Sequence, residues 1–240
     1  MMKGEKMFEK KIKLMSVITF LLTVFGNVMV GRIMNIEKCS FARAVAERFF
    51  SYTSDAGESL VIIDLIYVTM MVVLLINLSD IFEYIYSTKN TIMLMKKGIL
   101  RSFIESNIRV IGALFLNIVI CGVVTGICML IKTQMKMLNI EDMKILVRVL
   151  LMYIPFAMSL VILDNIAVLF VGVKKGNIIC AIILMLLLIM NRVSRGEIPF
   201  IAGMDIAGTE LSYVNVISEC VVLVLVECIA YKKVKKMDYI

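Results

Sequence analysis

Four carboxylates, Asp64, Asp164, Glu219 and Glu227, stand inside long apolar runs of this 240-residue chain. A charge in such surroundings is costly, and by default it marks a proton relay, an ion ligand or part of a transport path. Asp164 and Asn165 lie deepest. Pro155, upstream in the same run, is expected to bend the helix that carries them, so Pro155, Asp164 and Asn165 are the candidate path or hinge residues. An interhelical hydrogen bond accounts for the pair equally well. Glu227 lies beside the basic tail, and Glu219 and Asp64 lie towards the outer surface, where pairing or water accounts for them. An intramembrane aspartyl protease needs two Asp side by side, and Asp64 and Asp164 fall at different depths.

Other chemistry is excluded by residue type. With no His in the chain, catalytic triads and His-based metal proteases are ruled out. The six Cys form no CxxC pair, and the 20 Met form no repeated MxxM cluster. Met135 and Met137 flank Lys136, whose charge repels a cation, so neither zinc nor copper is expected. There is no GxxxxGK[ST] loop, so any ATP and its Mg must be held by another subunit. The chain is not expected to be an enzyme, and no cofactor is expected in it.

A second constellation suits binding rather than catalysis. The charged interval 79–110 carries Lys89, Lys96, Lys97, Arg101 and Arg109 between two apolar runs. Ile92, Met95, Ile99 and Phe103 recur at spacings of three and four, with Lys96, Lys97, Arg101 and Glu105 on the other side of the helix. That pattern predicts a short amphipathic helix with Gly98 in its middle. It reads as a handle for a soluble partner, although a helix covering lipid headgroups has the same pattern.

The elements that position these residues are membrane helices. The chain is 61% hydrophobic, beyond what a soluble domain of this size needs, and a span takes about 20 apolar residues. The expected fold class is all-α, a single polytopic domain over 1–240 with spans at about 14–30, 60–78, 111–131, 146–173, 178–190 and 214–230. The first is read as a retained helix rather than a cleaved signal. The fifth is short for a crossing. FARAVAERFF, in the loop 32–59, reads as a helix lying on the outer surface, and IPFIAG with Pro199 as a re-entrant piece. Gly122 and Gly126 have the GxxxG spacing for close helix packing. Basic residues collect at the tip, in 79–110, at Lys174 and Lys175 and in the tail, so the positive-inside rule places both termini in the cytoplasm with six spans. The excess positive charge sits beside apolar spans without interleaved aromatics, so nucleic acid is not an expected partner.

Six spans, a basic helical segment between the second and third, a proline-containing loop between the fifth and sixth and the tail KKVKKMDYI resemble the membrane subunits of bacterial ABC transporters of the ABC-2 type. The resemblance implies a location in the bacterial cytoplasmic membrane, an ABC ATPase subunit as partner and a second permease subunit in a homo- or heterodimer. It places a coupling helix on Lys89 to Glu105, through Lys89, Ile92, Met95, Lys96, Lys97, Ile99, Arg101, Phe103 and Glu105, and an amphipathic amino-terminal helix on Met1 to Lys13 with Phe8 and Ile12 towards lipid. Small outer loops fit the compact permeases of peptide-antibiotic immunity and export, with an amphipathic or lipid-like substrate. The alternatives are an ion-gradient-driven secondary transporter using Asp164, and a non-transporting membrane immunity or assembly protein.

Overall fold

The computed structural model describes residues 3–33, 39–42, 44–45, 61–79, 98–131, 135–136, 140–193, 198–199 and 213–235. Their order is α1 (Lys3–Ile33), strand β1 (Cys39–Ser40), α2 (Val61–Leu78), α3 (Ile99–Ile131), β2 (Met135–Lys136), α4 (Ile140–Arg148), a π-helical turn (Val149–Tyr153), α5 (Ile154–Val171), α6 (Val173–Val193) and α7 (Tyr213–Lys235). The strands are only two residues each and pair in parallel, Cys39 with Met135 and Ser40 with Lys136. Among the described residues the protein is otherwise helical.

Among the described residues five segments are long and apolar enough to cross a membrane: Glu9–Val28, Ile99–Ile131, Met143–Val171, Val173–Met190 and Tyr213–Lys235. The 18 residues of α2 extend roughly 27 Å at about 1.5 Å per residue, just under a hydrocarbon core of about 30 Å. The surface is apolar and the interior is mixed. Ile217, Val221, Val224 and Leu225 of α7 and Phe115, Val123 and Ile127 of α3 face outward, while Thr19, Thr23, Asn27, Asn117, Thr125, Asp164, Asn165 and Glu219 are buried. Burial of apolar area drives no association between helices already in lipid, so close packing and buried hydrogen bonds hold them instead.

Hydrogen bonds define the helix directions. Asn27 Nδ2 donates to Thr125 Oγ1 at 3.2 Å, and one turn earlier Thr23 Oγ1 meets Cys121 Sγ at 3.5 Å, so α1 and α3 run parallel. Asn107 bonds Glu227, and the Phe103 ring meets Tyr231 edge-on at 5.6 Å, so α3 and α7 run antiparallel. Tyr153 reaches Met71 and Asn165 reaches Leu78, which makes α2 and α5 parallel. One end of the bundle therefore gathers the start of α1, the end of α2, the start of α3, the α5–α6 elbow and the end of α7. Arg101, Arg109, Lys174, Lys175, Lys232 and Lys233 lie at that end. Central to the bundle is α5, which packs on α2, α3, α6 and α7.

Several sequence expectations are corrected. Gly98 does not lie within an amphipathic helix. It sits outside α3 at φ 80° and begins it, its carbonyl accepting from Ser102 N at 3.2 Å, and glycine alone adopts such a φ at little cost. The rest of the charged interval, Ile99 to Val110, is continuous with the third span. At the amino terminus, Lys3–Ile33 is likewise one helix, and Ile12 packs on the core rather than facing lipid. The fifth span is not short, because α6 begins at Val173 immediately after α5 ends. Within FARAVAERFF, Ala42, Ala44 and Val45 are buried at 0 to 2% exposure, so this part of the segment is folded into the bundle.

Pro155 has no N–H to offer the carbonyl of Leu151 and its ring crowds the preceding turn. The helix accommodates this with the π turn Val149–Tyr153 immediately upstream. A π turn of this sort commonly marks a functional position in a helix.

Candidate functional site

Asp164 is completely buried at the junction of α2, α5 and α6. Its position near the end of α5 brings it level with the last residues of α2 and the second turn of α6. The Cys180 thiol lies beside its carboxylate. Asn177, turned so that its amide nitrogen faces the surrounding acceptors, donates to Asp164 Oδ1 at 3.3 Å, to Ser79 Oγ at 3.2 Å and to the Val173 carbonyl at 3.2 Å. That orientation matches Asn27, Asn77 and Asn165, each of which donates to the carbonyl four residues earlier, at 2.9, 2.7 and 2.8 Å. Asn165 also donates to the Leu78 carbonyl at 2.9 Å. Leu78 ends α2, where a carbonyl has no helical partner of its own, so Asn165 caps it from α5.

The elbow behind this cluster depends on two glycines. Gly172 lies at φ 82° and ψ 162°, backbone that is essentially restricted to glycine. Its N–H closes on the Val168 carbonyl at 2.8 Å, and its own carbonyl accepts from Gly176 N at 2.9 Å. The chain thus reverses in a single residue between helices, and α6 starts close enough to bring Asn177 and Cys180 back beside Asp164.

The other predicted residues are dispersed. Pro155 lies nine residues before Asp164, roughly 13 Å along a helix at about 1.5 Å per residue, and belongs with Tyr153 and the π turn. Gly122 and Gly126 receive a ring rather than a helix. A Cβ on Gly126 would come within 3.3 Å of Phe41 Cε2, and one on Gly122 within 3.6 Å of Cζ. In the first turns of α3 the apolar side of the predicted handle faces inward, with Ile99 packed on the core and Phe103 buried against Tyr231. Arg101 is exposed and pairs with Glu105 at 3.4 Å. Lys89, Ile92, Met95, Lys96 and Lys97 lie outside the described residues, as do the side chain of Asp64 and most of IPFIAG.

Two carboxylates differ from the sequence reading. Glu219 is fully buried rather than reaching water, on the side of α7 that also buries Val226, Ala230 and Val234. Its run is apolar on every side, so no periodicity distinguishes the buried face. Glu227 takes both its oxygens to Asn107 Nδ2, at 2.8 and 2.6 Å, while Lys233 of the tail lies 3.8 Å above the Phe170 ring instead. Sequence reasoning also missed Tyr153, Asn117 and Met71. Asn117 Nδ2 donates to Tyr153 Oη at 3.5 Å, and that hydroxyl donates to Met71 Sδ at 3.6 Å. Asparagine and tyrosine inside an apolar run are the signal that could have found them.

Among the described residues no three His, Cys, Asp or Glu side chains come together as a metal site. The interior polar groups tie helices to one another, and Asp164 is a buried carboxylate held by the Asn177 amide with the Cys180 thiol beside it. The fold and this interior define a multi-pass helical membrane protein. No family model, curated protein or solved structure matches the chain.

Proposed function

We propose that the chain is the membrane-spanning permease subunit of a bacterial ABC transporter. In this reading it has six spans with both termini cytoplasmic and pairs with a second permease subunit. It exports an amphipathic peptide, antibiotic or lipid-like substrate, driven by a separate ATPase that holds ATP and Mg. The observation that carries the reading is the continuity of α3. Its 33 residues extend about 50 Å at roughly 1.5 Å per residue, against a hydrocarbon core of about 30 Å. A helix of that length exceeds the hydrocarbon core, so its first turns, packed against α7 at the basic end, can stand beyond the lipid as a continuation of the span. A partner bound to residues 89–105 would move the span directly, with Arg101 on the outer side and Phe103 and Ile99 fastening the lever to the bundle. The collection of Lys and Arg at that end supports its cytoplasmic placement.

The test is gentle purification of the tagged protein from its native membrane. An ABC-type ATPase is expected to co-purify, and the combined charge reversals Lys96→Glu, Lys97→Glu and Arg101→Glu are expected to release it while the permease still folds. A protein that emerges alone and moves solute down an ion gradient in vesicles overturns the reading. The complete burial of Asp164 favours that ion-coupled reading as the second choice. It predicts that Asp164→Asn abolishes coupled movement, whereas the ATP-driven reading predicts that movement persists.

A further inference from the structure

Asn117 is 2% exposed and breaks the habit of its neighbours. Asn27, Asn77 and Asn165 all return their amide nitrogen to the carbonyl one turn back, which satisfies the group locally. Asn117 instead points across to Tyr153, and the contact it gains is long, 3.5 Å, beyond the usual 2.7 to 3.2 Å of an N–H···O bond. Its carboxamide oxygen is buried and accepts no hydrogen bond from the protein. Turning the amide over does not help: Tyr153 then faces the oxygen, and the NH2 group loses its acceptor. Either orientation leaves one polar atom of Asn117 without a protein partner.

We propose that a water molecule is bound on the Asn117 carboxamide, between α2, α3 and α5, with the Tyr153 hydroxyl as its second partner. The magnitudes favour occupancy. An unsatisfied buried amide atom costs about 1–3 kcal/mol, whereas immobilising a water costs at most about 2 kcal/mol and often much less. Two polar partners meet the minimum for a stable internal water. The water donates to Asn117 Oδ1 and hydrogen-bonds the Tyr153 oxygen, whose own proton is directed to the Met71 sulfur. It lies beside the π turn Val149–Tyr153 and Pro155, where the helical ladder is already interrupted. An exchangeable hydrogen-bonding group is thereby placed at the one described point where α5 departs from regular geometry.

The test uses the full chain in lipid nanodiscs exposed to synchrotron X-ray pulses, which make hydroxyl radicals from water bound inside a protein and oxidise the side chains next to it. Met71 and Tyr153 are expected to be modified several-fold faster than Met15 and Met129, which are as deeply buried as Met71. The excess is expected to be lost in Asn117→Leu. Equal rates at all four residues overturn the proposal, as does an excess that persists in Asn117→Leu. Should that variant not fold, Tyr153→Phe keeps the ring and removes the second partner, and the excess at Met71 is then expected to fall; an unchanged excess overturns the site as drawn.

Discussion

Gly176→Ala is expected to prevent the helices α5 and α6 from closing, and the variant to be lost in large part before it reaches a folded, detergent-stable form. A Cβ at this position would stand 2.7 Å from both the backbone nitrogen and Cγ2 of Val168, and 2.9 Å from its Cα. The valine methyl can rotate away, but the backbone nitrogen and Cα belong to α5 itself. Relief requires the two helices to separate, and the single residue Gly172 joins them, so they have no slack in which to slide. Forced overpacking costs roughly 1–3 kcal/mol, occasionally more, a large share of a total stability of about 5–15 kcal/mol. Displacing α6 also carries Asn177 away from Asp164, leaving that carboxylate buried without its amide donor. The comparison is Gly112→Ala, where the added carbon meets nothing within 4 Å. It is expected to melt at or above the parent temperature, since Gly in a helix is worse than Ala by about 1 kcal/mol. Thermal unfolding followed by size-exclusion chromatography separates the two cases, and a Gly176→Ala protein that melts with the parent would show that the close approach is absent.

Asn165→Leu is expected to have the next largest effect. The substitution keeps the volume but removes the amide that reaches from α5 to the Leu78 carbonyl. Stranding a buried acceptor costs about 1–3 kcal/mol. Asn77→Leu is the internal control. That amide bonds the carbonyl of Val73 in its own helix, an acceptor that the helical ladder already serves, so its loss strands little. The expected result is a clear fall in melting temperature for Asn165→Leu and little change for Asn77→Leu. If both variants melt alike, the α2–α5 tie contributes nothing. The tie also bears on function, because Leu78 and Ser79 lead directly into the segment proposed to meet the ATPase. Loosening this end of α2 is expected to weaken the response of the bundle to the partner even where the fold survives.

Continuous apolar runs carried much of the fold. Helical spans near 14–30, 60–78, 111–131, 146–173 and 214–230 all fall on helices, because about 20 apolar residues satisfy both the length of a crossing and the need for internal backbone hydrogen bonds. Helix ends were less legible. The charged interval ending at Val110 looks like a separate element, since charge marks departure from hydrocarbon, but the backbone stays helical from Ile99 through Ile131. Leaving the membrane and ending the helix are different events. The fifth span extends beyond 178–190 for the same reason, since Lys174 and Lys175 lie within the first turn of α6.

By itself, then, the sequence determined that this is a helical protein of the membrane with a basic end, and that Asp164 and Asn165 sit within a span. Those properties depend on residue type and local order, and hydropathy records both. Only the tertiary structure decided which helix face is inside. In α5 and α7 apolar residues surround the axis on all sides, so no periodicity announces that Glu219 is enclosed or that Asn165 meets Leu78. Gly122 and Gly126 likewise predict a close approach without naming what approaches, and the answer, Phe41, is remote in the chain. In lipid the outward face is as apolar as the buried one, so burial follows close packing and hydrogen bonding between distant residues, and their pairing appears only once the helices are assembled.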